Sequence, residues 1–177
     1  MKKSELFKIS YLNETDAENL CHMMTSNTDI FNRFFTKTLS QNQSAENSRL
    51  YISKKAKEIE QKIEFTYAIR YKNNKVIGLV ILKELNWDTG EGELAYCLDK
   101  KHQGKGIISQ SVKNIVELAF EELKLKKLKI FAHNSNVASI RVAEKTGFLW
   151  IKTLSEAYQP PNEAPLDMEL YELHYER

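Results

Sequence analysis

Residues 94–123 read LAYCLDKKHQGKGIISQSVKNIVELAFEEL. The stretch divides into a strand, Leu94–Leu98, a basic glycine turn, Lys100–Gly106, and an amphipathic helix, Ile107–Leu123. In the helix, Ile108, Val112, Ile115, Val116, Ala119 and Leu123 share one face, and Lys113, Asn114, Glu117 and Glu121 the other. At 1.5 Å per residue it spans roughly 25 Å. Gly104 and Gly106 remove side chains where backbone must approach something closely. They precede a helix N-terminus, whose unpaired N–H groups and positive dipole end suit an anion, above all a phosphate. Lys100, Lys101, His102 and Lys105 add positive charge. A dinucleotide fingerprint needs three glycines and a Walker loop ends in Gly-Lys-Ser/Thr. Gly104-Lys105-Gly106-Ile107-Ile108-Ser109 meets neither pattern.

Working outward, Leu128–Ala132 is a short strand, so Leu94–Leu98, the helix and Leu128–Ala132 make a βαβ unit with parallel strands. Upstream, Phe65–Tyr71, Val76–Glu84 and Glu91–Leu98 form an antiparallel meander. Lys72-Asn73-Asn74-Lys75 and Asn86-Trp87-Asp88-Thr89-Gly90 supply its turns, and Gly78 marks a bulge or a close approach. Leu6–Tyr11 alternates as a half-buried first strand. Asn13 or Thr15 caps a helix carrying Ala17, Leu20, Cys21 and Met24. Asn27–Phe35 reads as a short helix whose Ile30, Phe31, Phe34 and Phe35 are core, with one or two open to walling a substrate groove. Thr36–Asn47 reads as a loop. A helix from Ser44 or Asn47 to about Ile63 buries Ile52, Ala56, Ile59 and Ile63, with Lys54, Lys55 and Lys57 on the solvated side. Downstream, Val137–Thr146 is a helix stopped by Gly147. Phe148–Leu154 and Leu166–Tyr175 are strands, joined by the proline-rich loop Tyr158–Pro165.

The 177 residues predict a single domain, 1–177, with room for a substantial core. A formal net charge of +2 argues against nucleic acid as partner. No apolar run approaches the ~20 residues that span a bilayer, and Met1–Phe7 lacks the apolar segment of a secretory signal. Membrane association is therefore not expected. Cys21 and Cys97 stand far apart in apolar settings and read as buried thiols, consistent with a reducing cytoplasm, and no metal site is expected.

A second segment runs Ala132-His133-Asn134-Ser135-Asn136-Val137-Ala138-Ser139-Ile140-Arg141-Val142-Ala143-Glu144-Lys145-Thr146-Gly147-Phe148. Its Asn136-x-x-Ser139 pair and Ala-Glu-Lys-x-Gly-Phe ending, at this distance from Gln103-Gly104-Lys105-Gly106, resemble the GNAT N-acetyltransferase superfamily. The resemblance is strongest over Glu91–Leu154. With Glu93-Leu94-Ala95-Tyr96-Cys97-Leu98 it points to the branch of ribosomal-protein serine and alanine acetyltransferases, which also holds polyamine, antibiotic and other small-amine acetylases.

The resemblance implies an α/β GNAT fold: a mixed, mostly antiparallel sheet of about seven strands flanked by helices, with acetyl-CoA in the wedge between the two central parallel strands. It implies acetyl transfer from acetyl-CoA, the co-substrate, to a primary amine by direct attack in a ternary complex. The acceptor would be a protein N-terminal α-amine, such as that of a ribosomal protein. A small amine (polyamine, antibiotic or amino-acid-like) is the alternative, and a non-catalytic acyl-CoA sensor a further one. A homodimer follows from family habit.

Residue by residue, backbone at Gln103, Gly104, Lys105, Gly106, Ile107, Ile108 and Ser109 would hold the pyrophosphate. Tyr96, Cys97 and Leu98 would run beside the pantetheine arm, a strand N–H there polarising the thioester carbonyl. Asn136 would touch that arm, cap its own helix, or both. Ser139 would steady the departing thiolate, or is an ordinary first-turn serine. Lys145 and Arg141 would meet the adenosine phosphate or face solvent. Glu93 is the candidate base, with Glu91 and a water relay as rivals, or else an edge carboxylate. Tyr158, Asn162 and Asp167 would shape the acceptor side. Many relatives carry a tyrosine acid near positions 140–142. This chain has Ile140-Arg141-Val142 there, so Ser139 or another group must help. An α-amine, with pKa ~7.7–8.0, is partly neutral at physiological pH, whereas a lysine at ~10.4 is not. A site without a strong base therefore suits the α-amine.

Overall fold

The computed structural model of the chain describes residues 7–176. It contains seven strands in one sheet, paired in the order β1-β2-β3-β4-β5-β7-β6. These are β1 (Lys8–Tyr11), β2 (Phe65–Arg70), β3 (Val76–Asn86), β4 (Glu91–Leu98), β5 (Lys127–Ala132), β6 (Leu149–Tyr158) and β7 (Leu166–His174). Six α-helices accompany them: α1 (Ala17–Thr25), α2 (Thr28–Phe31), α3 (Thr36–Ser40), α4 (Ala45–Glu60), α5 (Ile107–Glu121) and α6 (Val137–Lys145). The sheet is open, mixed and mostly antiparallel, with β4 and β5 as its parallel pair, as the sequence predicts. The residues group into two compact units. One runs up to Ile81 and takes in Tyr96–Ile107; the other is Leu82–Ala95 with the chain from Ile108 onward.

In the first unit, β1 pairs antiparallel with β2 from Lys8↔Arg70 to Tyr11↔Tyr67. Leu6, the expected start of β1, lies outside the described residues. Asn13 opens the next segment with a capping box: its side chain accepts the Thr15 N–H, and Asp16 reaches back to the Asn13 N–H. α1 then buries Ala17, Leu20, Met23 and Met24. Cys21 is only partly buried, because Leu20 and Met24 take the inward positions beside it, so the expectation of two buried thiols holds for Cys97 alone. Arg70, on β2, is 2% exposed and ion-pairs Asp16 through both ends of its guanidinium, Nη1 to Oδ1 and Nη2 to Oδ2, each at 2.7 Å. It also donates to Ser10 Oγ and to the carbonyls of Tyr11 and Asn74.

Three readings of this region need correction. The helix expected over Asn27–Phe35 is only Thr28–Phe31, and Ile30, expected in the core, is exposed. Thr36–Asn47 is not all loop, since Thr36–Ser40 forms α3 with Leu39 buried beneath it. Threonine and serine disguise the turn, yet the Thr36 hydroxyl donates to the Asn32 carbonyl and reinforces it. In α4 the inward stripe is Ser48, Tyr51, Ile52 and Lys55. Ala56 is exposed, Ile59 half-buried and Ile63 55% exposed. Lys55 faces inward because its ammonium finds two carboxylates, Glu58 and Glu64, and lies 5.2 Å over the Tyr51 ring. A buried lysine needs such partners. The Lys72–Lys75 turn places Asn73 and Asn74 at φ of 59° and 63°, as the asparagine pair suggests. Gly78 is the predicted close approach: a Cβ there would stand 2.4 Å from the Cys97 carbonyl oxygen.

In the second unit, β4 pairs with β5 at Glu91↔Lys127, Gly92↔Leu128 and Glu93↔Lys129. Among the described residues the register does not continue to Leu94 and Ile130. β5 alternates between half-buried and buried, and pairs antiparallel with β7 along its length. Val112, Ile115 and Ala119 of α5 are buried, as are Leu94, Leu125, Leu128 and Ile130. β6 is longer than predicted, reaching Tyr158, and shifts register twice against β7. The proline-rich loop is correspondingly shorter.

Candidate active site

The basic turn is built by short-range constraints in the first unit. The Asp99 N–H donates to the Ile77 carbonyl at 2.7 Å, and its carboxylate caps a single 3-10 turn, Lys100–His102, by accepting the Lys101 N–H. Gln103 reaches back from its Nε2 to the Leu98 carbonyl at 3.3 Å. Gly104 and Gly106 then take φ of +74° and +75°. This left-handed region costs a side chain ~1–2 kcal/mol, which accounts for two glycines separated by Lys105. A Cβ at either glycine would meet nothing within 4 Å. The glycines therefore answer to backbone conformation and leave open space over the turn. Lys101, Lys105 and Gln103 are exposed around it, and Ile107, the first residue of α5, is buried. These features fit the pyrophosphate of a CoA: open backbone, a helix start and cationic side chains.

Also in this unit, Cys97 is 6% exposed and Leu98 6%. Burial pushes the Cys97 thiol up to about 12. A thiol held protonated is a poor nucleophile, so the Cys97 sulfur is unsuited to carrying an acyl group. Tyr96 is half-buried.

The second unit carries the other predicted residues. Ile108 and Ser109, in the first turn of α5, are half-buried. Asn136 is the N-cap of α6, its side chain accepting the Ser139 N–H at 3.3 Å. The Asn-x-x-Ser spacing is thus the N-cap to N3 spacing of a helix start. Ser139 is half-buried in the first turn. Lys145 is exposed in the last turn of α6, about 13 Å along the helix from Asn136 at 1.5 Å per residue. The helix therefore separates Lys145 from the pair at its start. Arg141 is exposed as well.

Glu93 is half-buried on β4, and its carboxylate pairs with Lys83 of β3 at 3.0 Å. Lys83 escapes a reading of motifs, although the β3–β4 meander already predicts that residues on these strands face one another. Glu91 is held by two ammonium groups, Lys127 at 2.7 Å and Lys129 at 2.6 Å. Hydrogen bonds from Lys127 and then Lys129 hold its carboxyl down to about 2, so it offers little basicity. Tyr158 ends β6, Asp167 accepts the Glu156 N–H at 2.8 Å, and Asn162 takes a φ of 58° in the loop between β6 and β7. Among the described residues no cluster of His, Cys, Asp or Glu suits a metal ion, and no helix is long and apolar enough to cross a membrane.

A mixed open sheet with a short parallel pair, and a glycine turn feeding the helix between those two strands, is the GNAT architecture expected from the sequence. Comparison with known proteins gives the family. Residues 8–149 match the Acetyltransferase (GNAT) domain. The chain belongs to this family and is an acetyl-CoA-dependent N-acetyltransferase. It is 31% identical over 150 residues to a probable N-acetyltransferase, YjcK, of Bacillus subtilis (strain 168), covering 84% of this chain and 83% of the relative. It is 30% identical over 101 residues to the ribosomal-protein-serine acetyltransferase of Escherichia coli (strain K12), covering 57% and 56%. The fold superposes with a TM-score of 0.87 on a ribosomal L7/L12 alpha-N-protein acetyltransferase, RimL, in complex with coenzyme A. That match has 18% identity and covers 97% of this chain and 95% of the other.

Proposed function

We propose that this chain acetylates a protein N-terminal α-amine. One observation carries the reading: Glu93, the candidate base, is already engaged by Lys83 at 3.0 Å. Glu91, its nearest rival, is held by two lysines. An acceptor with pKa ~7.7–8.0 arrives partly deprotonated and asks little of such a site. The ribosomal-protein-serine acetyltransferase relative supports the same acceptor class.

Bound acetyl-CoA supplies the acetyl group as a thioester. Backbone N–H groups from Gln103 to Ile108, with Ser109 beside them, receive its pyrophosphate. Along β4, past the last residue paired with β5, the N–H of Cys97 or Leu98 donates to the thioester carbonyl and steadies charge as it builds on that oxygen. Asn136 fixes the start of α6 and so aims Ser139, whose hydroxyl donates to the departing sulfur. Glu93 accepts the proton the amine loses, directly or through one water. The balance is simple: a C–N bond forms, the C–S bond breaks, and the sulfur leaves with the electron pair. Lys145, at the far end of α6, serves at most the adenosine phosphate.

The test is acceptor profiling with labelled acetyl-CoA against peptides with free N-terminal serine or alanine, the same peptides blocked at the N-terminus but carrying lysine, and spermidine. The free N-terminal peptides should be acetylated with a kcat/KM at least tenfold above the others. A spermidine preference of that size would move the chain to the small-amine class. Absence of thiol release with every acceptor, at every pH, would favour the sensor.

A further inference from the structure

Asn27 lies outside the proposed chemistry, yet its side chain is 0% exposed. Its Nδ2 donates to the Met23 carbonyl, in the last turns of α1, at 2.8 Å. Its Oδ1 accepts the backbone N–H of Lys100, 73 residues away, at 3.0 Å. Its main-chain carbonyl accepts the N–H groups of Ile30 and Phe31, the last two residues of α2. Two residues on, both oxygens of Asp29 sit 3.0 Å from the Lys100 ammonium. Lys100 is the first residue of the basic turn, so the α1–α2 junction holds that turn by main chain and side chain together. The next constraint comes from Asp99, tied to Ile77 on one side and Lys101 on the other.

The two contacts differ in weight. The Lys100–Asp29 pair is exposed, with side chains 45% and 62% accessible, and exposed pairs contribute ~0–1 kcal/mol. The Asn27 amide is buried and uses a donor at one end and an acceptor at the other. Few side chains of this size offer both. Alanine would leave the Lys100 N–H without this partner at a part-buried position and the Met23 carbonyl without its side-chain donor, and an unmade hydrogen bond costs more the less water can replace it. Aspartate would keep the acceptor, lose the donor and bury a charge.

We infer that Asn27 is a positioning residue for the cofactor turn: it sets where Lys100 begins and so how the backbone of Gly104 and Gly106 is presented. The role rests on the assignment of that turn to the pyrophosphate. Because coupling is reciprocal, CoA on the turn also steadies the α1–α2 junction and the Phe31 that follows it.

The test uses the full chain, with CoA as ligand, calorimetry for Kd, and amide hydrogen exchange resolved by residue. Ile69→Val is the control, a buried change of ordinary cost (~0.5–1.5 kcal/mol) on β2 that touches neither Asn27 hydrogen bond. In the native protein the Lys100 amide should exchange as slowly as strand amides, and CoA should slow the amides of residues 27–31 as well as the turn. Asn27→Ala should raise the CoA Kd at least tenfold and speed Lys100 exchange at least a hundredfold, with or without CoA. Asp29→Asn should change Kd less than threefold, and Ile69→Val less than twofold. Native-like CoA affinity in Asn27→Ala, or a fast Lys100 amide in the native protein, overturns the inference while leaving the cofactor site intact. Failure of the native protein to bind CoA removes both. If Asn27→Ala does not fold, the native exchange pattern decides.

Discussion

Arg70 and Tyr51 are both buried polar residues yet make opposite predictions. The Arg70–Asp16 pair is buried and two-pronged. Removing one partner strands a charge, which costs ~3–5 kcal/mol, so Asp16→Ala should show a loss of that size in denaturant unfolding. Burial works to raise the Asp16 carboxyl, but the hydrogen bond from Arg70, that from Asn13 and the Arg70 charge together leave it lowered. A carboxyl lowered by folding adds stability above its unfolded pKa of ~3.9 and loses it as pH falls through the folded value. Acid unfolding should therefore shift toward neutral pH in Asp16→Ala. The Tyr51 hydroxyl, by contrast, is buried and has no well-formed hydrogen bond among the described residues. It lies beside the hydroxyls of Thr38 and Thr66, and burial pushes its pKa far up. Deleting an unpartnered hydroxyl removes a desolvation cost, so Tyr51→Phe should leave Tm unchanged or raise it. A Tm lower by several degrees would contradict this. Neither residue is legible in the sequence, because Arg70 takes its partners, and Tyr51 its burial, from other segments. The Asn13–Asp16 capping box, three residues apart, is legible in part: Asn13 reads as a cap.

At the scale of elements, what the sequence tells best is what repeats locally. β2, β3, β4, α5 and α6 fall within one or two residues of their predicted bounds, and the parallel pairing of β4 with β5 follows from the helix between them. The misreadings fall where tertiary partners override periodicity. Lys55 is buried because Glu58 and Glu64 meet it, and α3 forms from threonines that read as loop. β6 overruns its prediction because β7 lies beside it to pair with. The glycine turn is the element on which the cofactor assignment stands. Gly104 and Gly106 need positive φ, and the space above them is open. Gly106→Trp should therefore leave the fold largely intact while filling that space, and CoA binding measured by calorimetry should be lost. Unchanged affinity would place the pyrophosphate elsewhere.

For the whole molecule, the sheet order and the family agree, and the donor half of the reaction is far better defined than the acceptor half. On the proposed reading the donor half uses backbone in a glycine turn and at a helix start, which leaves a local signature. The acceptor half would depend on side chains such as Glu93, paired with Lys83, spread over strands with no motif of their own. Replacing the two proposed catalytic groups together, Glu93→Gln with Ser139→Ala, should lower kcat by at least a hundredfold in steady-state kinetics while CoA affinity changes little. Undiminished turnover would remove both from the mechanism. Thermal unfolding gives an independent check on the donor: acetyl-CoA and CoA should raise Tm, as a ligand that binds only the folded state must, and ATP or NAD should do so markedly less.

The Arg70 guanidinium has a kinetic side too. It gathers Ser10 and Tyr11 from β1, Asp16 from the following turn and Asn74 from beyond β2. Two of these partners are 60 and 54 residues from it in sequence. Such a knot can close only after those segments have arrived, and closing long loops is slow. Its bonds should therefore be absent from the folding transition state. Breaking them would then leave the refolding rate nearly unchanged and speed unfolding instead. The clamp would act as a latch on the finished protein, governing how long it stays folded more than how fast it gets there.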